Sequence, residues 1–195
     1  MPTTSTLEDQ LAVIGLAYGR KQDIAYRAGL IAQVLGLAVV SALYPLESPF
    51  YTAGIMLFEL GVLLSAAYLL VWKRQVKRMV LGLVLTGFMI QAVGYFAAPE
   101  QYAGTALLAG IGFVCAGAAG VAGKEAYFFG YWEGWLLAML GFPLMVFANL
   151  FGKEHRVFNS FGFAALFLLL FSLTGRKLRQ SLWGKGQMTE IRRQT

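Results

Sequence analysis

Histidine and cysteine each occur once in these 195 residues, as His155 and Cys115. A lone cysteine excludes an intramolecular disulfide, a CxxC redox pair and a cysteine-built zinc site, and it reads as packing. A lone histidine cannot supply a bis-histidine haem, an HExxH zinc site or a histidine-rich di-iron centre, so no haem or metal site is expected. GxSxG and Walker motifs are missing too, and the 23 glycines fall largely within apolar stretches and form no phosphate loop. Charge is equally scarce: 13% of residues are charged and 58% hydrophobic, against about a quarter charged in soluble domains. The chain reads as one membrane domain, not an enzyme of a familiar kind.

What is present is a set of long apolar runs. Six spans are expected, at Ala28–Tyr44, Phe50–Trp72, Met79–Ala98, Gly104–Ala122, Trp132–Leu150 and Val157–Thr174, each near the ~20 residues that a bilayer core demands. The expected fold is an all-α, polytopic six-helix membrane bundle. Residues 1–27 form an N-terminal segment, 28–174 the transmembrane domain and 175–195 a basic tail. Fourteen of the sixteen Lys and Arg residues fall on one side of this layout, the exceptions being Lys153 and Arg156. The positive-inside rule then places both termini in the cytoplasm or its organellar equivalent. The net charge of +6 is accordingly a topology signal. It implies contact with the lipid bilayer, where a juxtamembrane Lys or Arg gains about 1 kcal/mol on an anionic surface, and no nucleic-acid partner.

Before the first span, Leu7, Leu11, Ile14 and Tyr18 share a helical face, with a capping-box pattern at Ser5 and Glu8 and a stop at Gly19. This predicts an amphipathic helix over Leu7–Tyr18, lying on the membrane, on the protein's own loops or against a partner. Glu8 and Asp9, where a signal peptide would be basic, argue against cleavage. Pro45 to Pro49 forces a tight hairpin between the first two spans. Gly112, Ala116 and Gly120, with Gly110, Gly117, Ala118, Ala119 and Ala122 nearby, give the fourth span a small-residue surface suited to a central position or a dimer contact, and Pro143 predicts a kink in the fifth.

Two groups of residues carry potential chemistry. Glu59 is the only acid deep inside a span, roughly 14 Å from the outer start of its helix at 1.5 Å per residue. Gln91 and Gln33 come out near 10 and 16 Å on the same rise. A polar cluster of Gln33, Glu59 and Gln91 joining the first three helices is therefore expected. It serves as a proton or cation site, or as a neutral acid tying the helices together. The second group is Lys124, Glu125, Tyr127, Phe128, Tyr131, Trp132, Glu133 and Trp135, an aromatic stretch at the cytoplasmic interface. An aromatic belt explains the rings. It leaves Glu125 and Glu133 unexplained, so either a flat ligand or partner helix binds there, or Lys124 pairs with one of the acids.

The run Gly120-Val121-Ala122-Gly123-Lys124-Glu125-Ala126-Tyr127-Phe128-Phe129 precedes a proline-containing span ending Ala148-Asn149-Leu150-Phe151-Gly152, and Tyr26-Arg27 precedes the first span. In these features the chain resembles an uncharacterised integral membrane family of cyanobacteria and plastids, over most of its length. The resemblance implies a polytopic protein of the thylakoid or plasma membrane. It also implies an accessory or assembly role beside a larger photosynthetic membrane complex, with chlorophyll or carotenoid as the pigments in that setting. A small proton-coupled transporter or ion pathway through Glu59 is the alternative.

Overall fold

The computed structural model describes residues 20–69, 74–151 and 156–180. Within them every regular element is helical: α1 (Arg20–Leu43), α2 (Tyr51–Ala67), α3 (Arg74–Phe96), α4 (Glu100–Phe129), α5 (Trp132–Leu136), a π turn (Leu137–Gly141), α6 (Phe142–Phe151) and α7 (Arg156–Arg179). Four helical stretches, Lys21–Leu43, Gln75–Phe96, Glu100–Phe129 and Arg156–Arg179, are long and apolar enough to cross a membrane. The amphipathic stretch Leu7–Tyr18, the loop residues Lys153, Glu154 and His155, and the tail beyond residue 180 lie outside the described residues.

Backbone contact through glycine sets the helix pairing. Gly29 and Gly61 meet across the α1–α2 seam, as do Gly36 and Gly54, so the two helices run antiparallel. A Cβ on Gly61 would lie 2.6 Å from the Gln33 amide nitrogen and 2.7 Å from the Gly29 carbonyl. Small residues permit that approach where apolar association alone gives little drive. On α3 and α4, Gly87 and Gly110 do the same, and Val80 and Val84 of α3 fill the space beside Gly120 and Gly117.

Within the expected small-residue surface of α4, Gly120 meets Val80 of α3 and the nearby Gly110, Gly117, Ala118 and Ala122 are buried, while the rest of the strict four-residue row turns off that face. Gly110, Val114, Gly117 and Val121 are buried, whereas Ala116 is exposed and Gly112 faces Val146 of α6. A strict four-residue repeat drifts around a helix of 3.6 residues per turn; alternating steps of four and three stay on one face. The central position expected for the span is observed, since α4 packs against α2, α3, α5, the π turn and α6.

Between Trp132 and Phe151 the backbone is continuously helical but changes gauge. Pro143 lacks an N–H and its ring crowds the carbonyl four residues back. Where a kink is expected, the structure has a π turn immediately upstream, in which the Phe142 amide reaches back five residues to the Leu137 carbonyl. α7 closes the bundle by packing along α1, with Leu166, Leu170, Leu173, Thr174 and Lys177 buried at helical spacing. Large apolar side chains such as Met79, Met89, Leu144, Phe147 and Phe161 remain on the outside, more than half exposed. A water-soluble bundle would hide such a surface.

Candidate functional site: a charged end and a buried polar middle

The stretch Lys124–Trp135 is carried mostly on helix. α4 runs seven residues beyond the expected span end at Ala122 and stops at Gly130, whose left-handed backbone (φ 67°) caps it with an N–H bond to the Ala126 carbonyl at 2.9 Å. α5 begins only two residues later. This geometry sorts the segment by direction. Glu125 and Glu133 point inward and are 0% and 1% exposed, while Tyr127, Trp132 and Trp135 point outward at 69%, 54% and 43%. Phe128 joins the outward collar, edge-on to Tyr127 with ring centroids 5.4 Å apart.

Each inward acid is met by a cation from α7, and Glu125 also by its neighbour Lys124. Glu125 accepts from Lys124 Nζ at 2.6 Å and from the Tyr26 hydroxyl at 2.6 Å, and its second oxygen lies 3.2 Å from Lys177 Nζ. Glu133 pairs with Arg176 at 3.1 Å and accepts from Ser172 at 2.7 Å. Arg27 pairs with Asp23 at 3.0 Å and donates to the carbonyls of Leu178 and Gln180 at 3.4 and 2.8 Å. Gln180 in turn donates to the Tyr131 hydroxyl at 2.7 Å. Burial, and next the Glu125 carboxylate, push the Tyr131 phenol above its ordinary range. The pairing of Lys124 with Glu125 was open in the sequence; the convergence of Tyr26, Arg27 and Arg176 to Gln180 on the same end was not visible there.

In the middle of the bundle Glu59 is 3% exposed and accepts a 2.8 Å hydrogen bond from Gln91 of α3. Gln33 does not join them. It donates to the Ser65 hydroxyl at 2.9 Å and the Gly61 carbonyl at 3.3 Å, and Ser65 donates to the Tyr26 carbonyl at 3.3 Å. The expected three-residue cluster is thus two separate contacts. Side chains on a helix lean toward its N-terminus. On antiparallel helices Gln33 and Glu59 lean apart, whereas Gln91 leans toward Glu59.

A third polar knot was missed in the sequence. Asn149 and Asn159 exchange reciprocal amide hydrogen bonds at 3.1 and 2.9 Å, Asn159 donates also to Tyr44 at 3.1 Å, and Asn149 donates to the Met145 carbonyl at 2.8 Å. Close by, Arg156 holds the Glu47 carboxylate and the Pro45 carbonyl. The available signal was that the chain's only two asparagines flank one loop at similar depth.

Among the described residues no group of three or more His, Cys, Asp or Glu converges as a metal site would require. Because Glu125 and Glu133 are turned inward onto cations, neither acid is presented to the aromatic collar as an axial ligand for a metal-centred pigment. The collar is exposed aromatic surface with tyrosine and tryptophan polar tips. No family model, curated protein or solved structure matches this chain.

Proposed function

We propose that the protein is a six-span membrane accessory protein, non-enzymatic, with both chain termini on the cytoplasmic or stromal side. Supporting six spans, α2 is a predominantly apolar helix of 17 residues, about 25 Å at 1.5 Å per residue, and the run from Trp132 to Phe151 is helical throughout. Supporting the orientation, the positively charged side predicted by loop composition is the end where α7 forms ion pairs with α4 and α5 and α1 adds hydrogen bonds. The accessory reading rests on one observation: the charges of the Lys124–Trp135 segment are spent inside the protein, and its aromatic rings are offered outside. That surface suits an apolar partner helix, an acyl chain or an extended pigment at the membrane interface. The photosynthetic setting, in a thylakoid or plasma membrane, is proposed from the family resemblance alone.

Purification from native membranes in mild detergent, with mass spectrometry and an absorption spectrum, tests this reading. The wild type is expected to carry a defined complex that the triple variant Tyr127→Ala, Trp132→Ala, Trp135→Ala loses while retaining its fold. Identical co-purification by both would remove the collar from the account. The alternative, a proton-coupled transporter, is favoured by one observation, the burial of Glu59 with a single hydrogen-bonding partner shown. Solute flux by the reconstituted protein, abolished in Glu59→Gln, would establish it and overturn the accessory role.

A further inference from the structure

At the charged end, two ammonium groups sit against aromatic rings around one carboxylate. Lys177 Nζ lies 4.1 Å from the Phe129 ring centroid, 5.8 Å from that of Tyr26 and 3.2 Å from Glu125 Oε2. Lys124 Nζ lies 4.9 Å from the Tyr26 ring, 5.5 Å from Phe129 and 5.9 Å from Phe128, and 2.6 Å from Glu125 Oε1. Ring faces carry negative quadrupole density, and rings gathered around a desolvated carboxylate are the chemistry by which proteins recognise organic ammonium ions. Glu125 and Tyr26 form the floor, both buried, and the edges of Phe128 and Phe129 form a rim that is more than a third exposed.

The two lysines stand in different relations to this box. Lys124 is adjacent to Glu125 on α4 and belongs to its wall. Lys177 enters from α7, and the helix end that delivers it is fastened by Arg27 to the Leu178 and Gln180 carbonyls and by Gln180 to Tyr131. Helix ends are the least costly part of a fold to open, since their last carbonyls have no intrahelical partner. We propose that Tyr26, Phe129 and Glu125 form a primary-ammonium site that the chain's own Lys177 fills, and that the last turn of α7 is the strap holding this internal ligand in place. Withdrawal of the strap opens the site to an ammonium group from outside the chain, carried by a soluble amine or by an amine-headed lipid.

The test uses the full-length protein in phosphatidylglycerol nanodiscs, with thermal unfolding followed by tryptophan fluorescence. Lys177→Ala is expected to melt below the wild type and to recover saturably with ethylammonium chloride, but not with sodium chloride at equal ionic strength; the wild type is expected to respond to neither. Replacing part of the phosphatidylglycerol with phosphatidylethanolamine separates the two sources, because recovery without added ethylammonium assigns the site to a lipid headgroup. Recovery with neither amine, or equal recovery with sodium chloride, would overturn the proposal. Should Lys177→Ala fail to fold, Phe129→Leu keeps the apolar volume of a part-exposed residue and removes the ring. Acetylation of Lys177, read by mass spectrometry against Lys21 in the same molecule, is then expected to rise about three- to thirtyfold. An unchanged ratio would overturn the assignment of Phe129 and with it the box.

Discussion

Substituting Gly61 by alanine adds one methyl group to the protein, and the α1–α2 seam has no room for it. The new Cβ would lie 2.6 Å from the Gln33 nitrogen and 2.7 Å from the Gly29 carbonyl, where ordinary contact begins at 3.4 Å. Both obstructing atoms are backbone, so no rotamer change relieves the overlap; the helices must part locally by roughly the shortfall. A radial gap of about 0.5–1 Å forfeits a quarter to a half of each van der Waals contact of ~0.1–0.2 kcal/mol. Spread over tens of atom pairs along the seam, that comes to about 1–3 kcal/mol, the usual range for overpacked sites. Gly82 on α3 is the control, for nothing lies within 4 Å of a Cβ built there. Gly82→Ala should be neutral, or stabilising by up to about 1 kcal/mol through helix propensity. Equilibrium unfolding in mixed micelles, or the thermal midpoint in one detergent, measures the difference. If Gly61→Ala is as stable as Gly82→Ala, the close approach of α1 and α2 is wrong.

Glu125→Ala leaves Lys124 and Lys177 facing each other without their carboxylate, and should cost about 3–5 kcal/mol; Glu125→Met combined with Lys124→Met and Lys177→Met should recover much of that, as a mutant cycle would read out. Asn149→Leu or Asn159→Leu alone orphans the opposite amide and should lower stability by about 1–3 kcal/mol, whereas the double substitution should come closer to neutral. Glu59→Gln keeps an acceptor for Gln91 and is expected to unfold within about 1 kcal/mol of the wild type, while Glu59→Leu strands the Gln91 amide and should cost about 1–3 kcal/mol. Pro143→Ala restores a backbone donor next to the π turn; slower hydrogen exchange over residues 137–143 is expected, and exchange no slower than in the wild type would remove proline as the cause of the turn.

The helical class and the approximate ends of most elements were legible because apolar run length and loop charge report on them directly. The sequence also marked Glu59 and the 124–135 stretch as unusual, since acids in an apolar run must find partners. Other features depend on quantities that one-dimensional spacing does not contain. Gln33 and Glu59 agree in depth, yet the lean of their side chains on antiparallel helices separates them. Which of the small residues of α4 are used depends on what α3 inserts, Val80 beside Gly120 and Val84 beside Gly117, as much as on α4 itself. The partners of Glu125 come from α1 and α7 at opposite ends of the sequence, and nothing local to Tyr26 or Lys177 advertised the meeting.

That meeting also has a time attached to it. Arg27 and the Gln180 carbonyl it binds are 153 positions apart. With chain elongation at about 5–20 residues per second, the first helix waits roughly 8–30 s after its synthesis before the last one can reach it. Throughout that interval Tyr26, Arg27 and then Lys124 with Glu125 lack their α7 partners. Any factor that guards nascent membrane segments has that window in which to act on this end, and a ribosome stalled before residue 176 leaves a protein whose early helices are paired but whose charged end is still open.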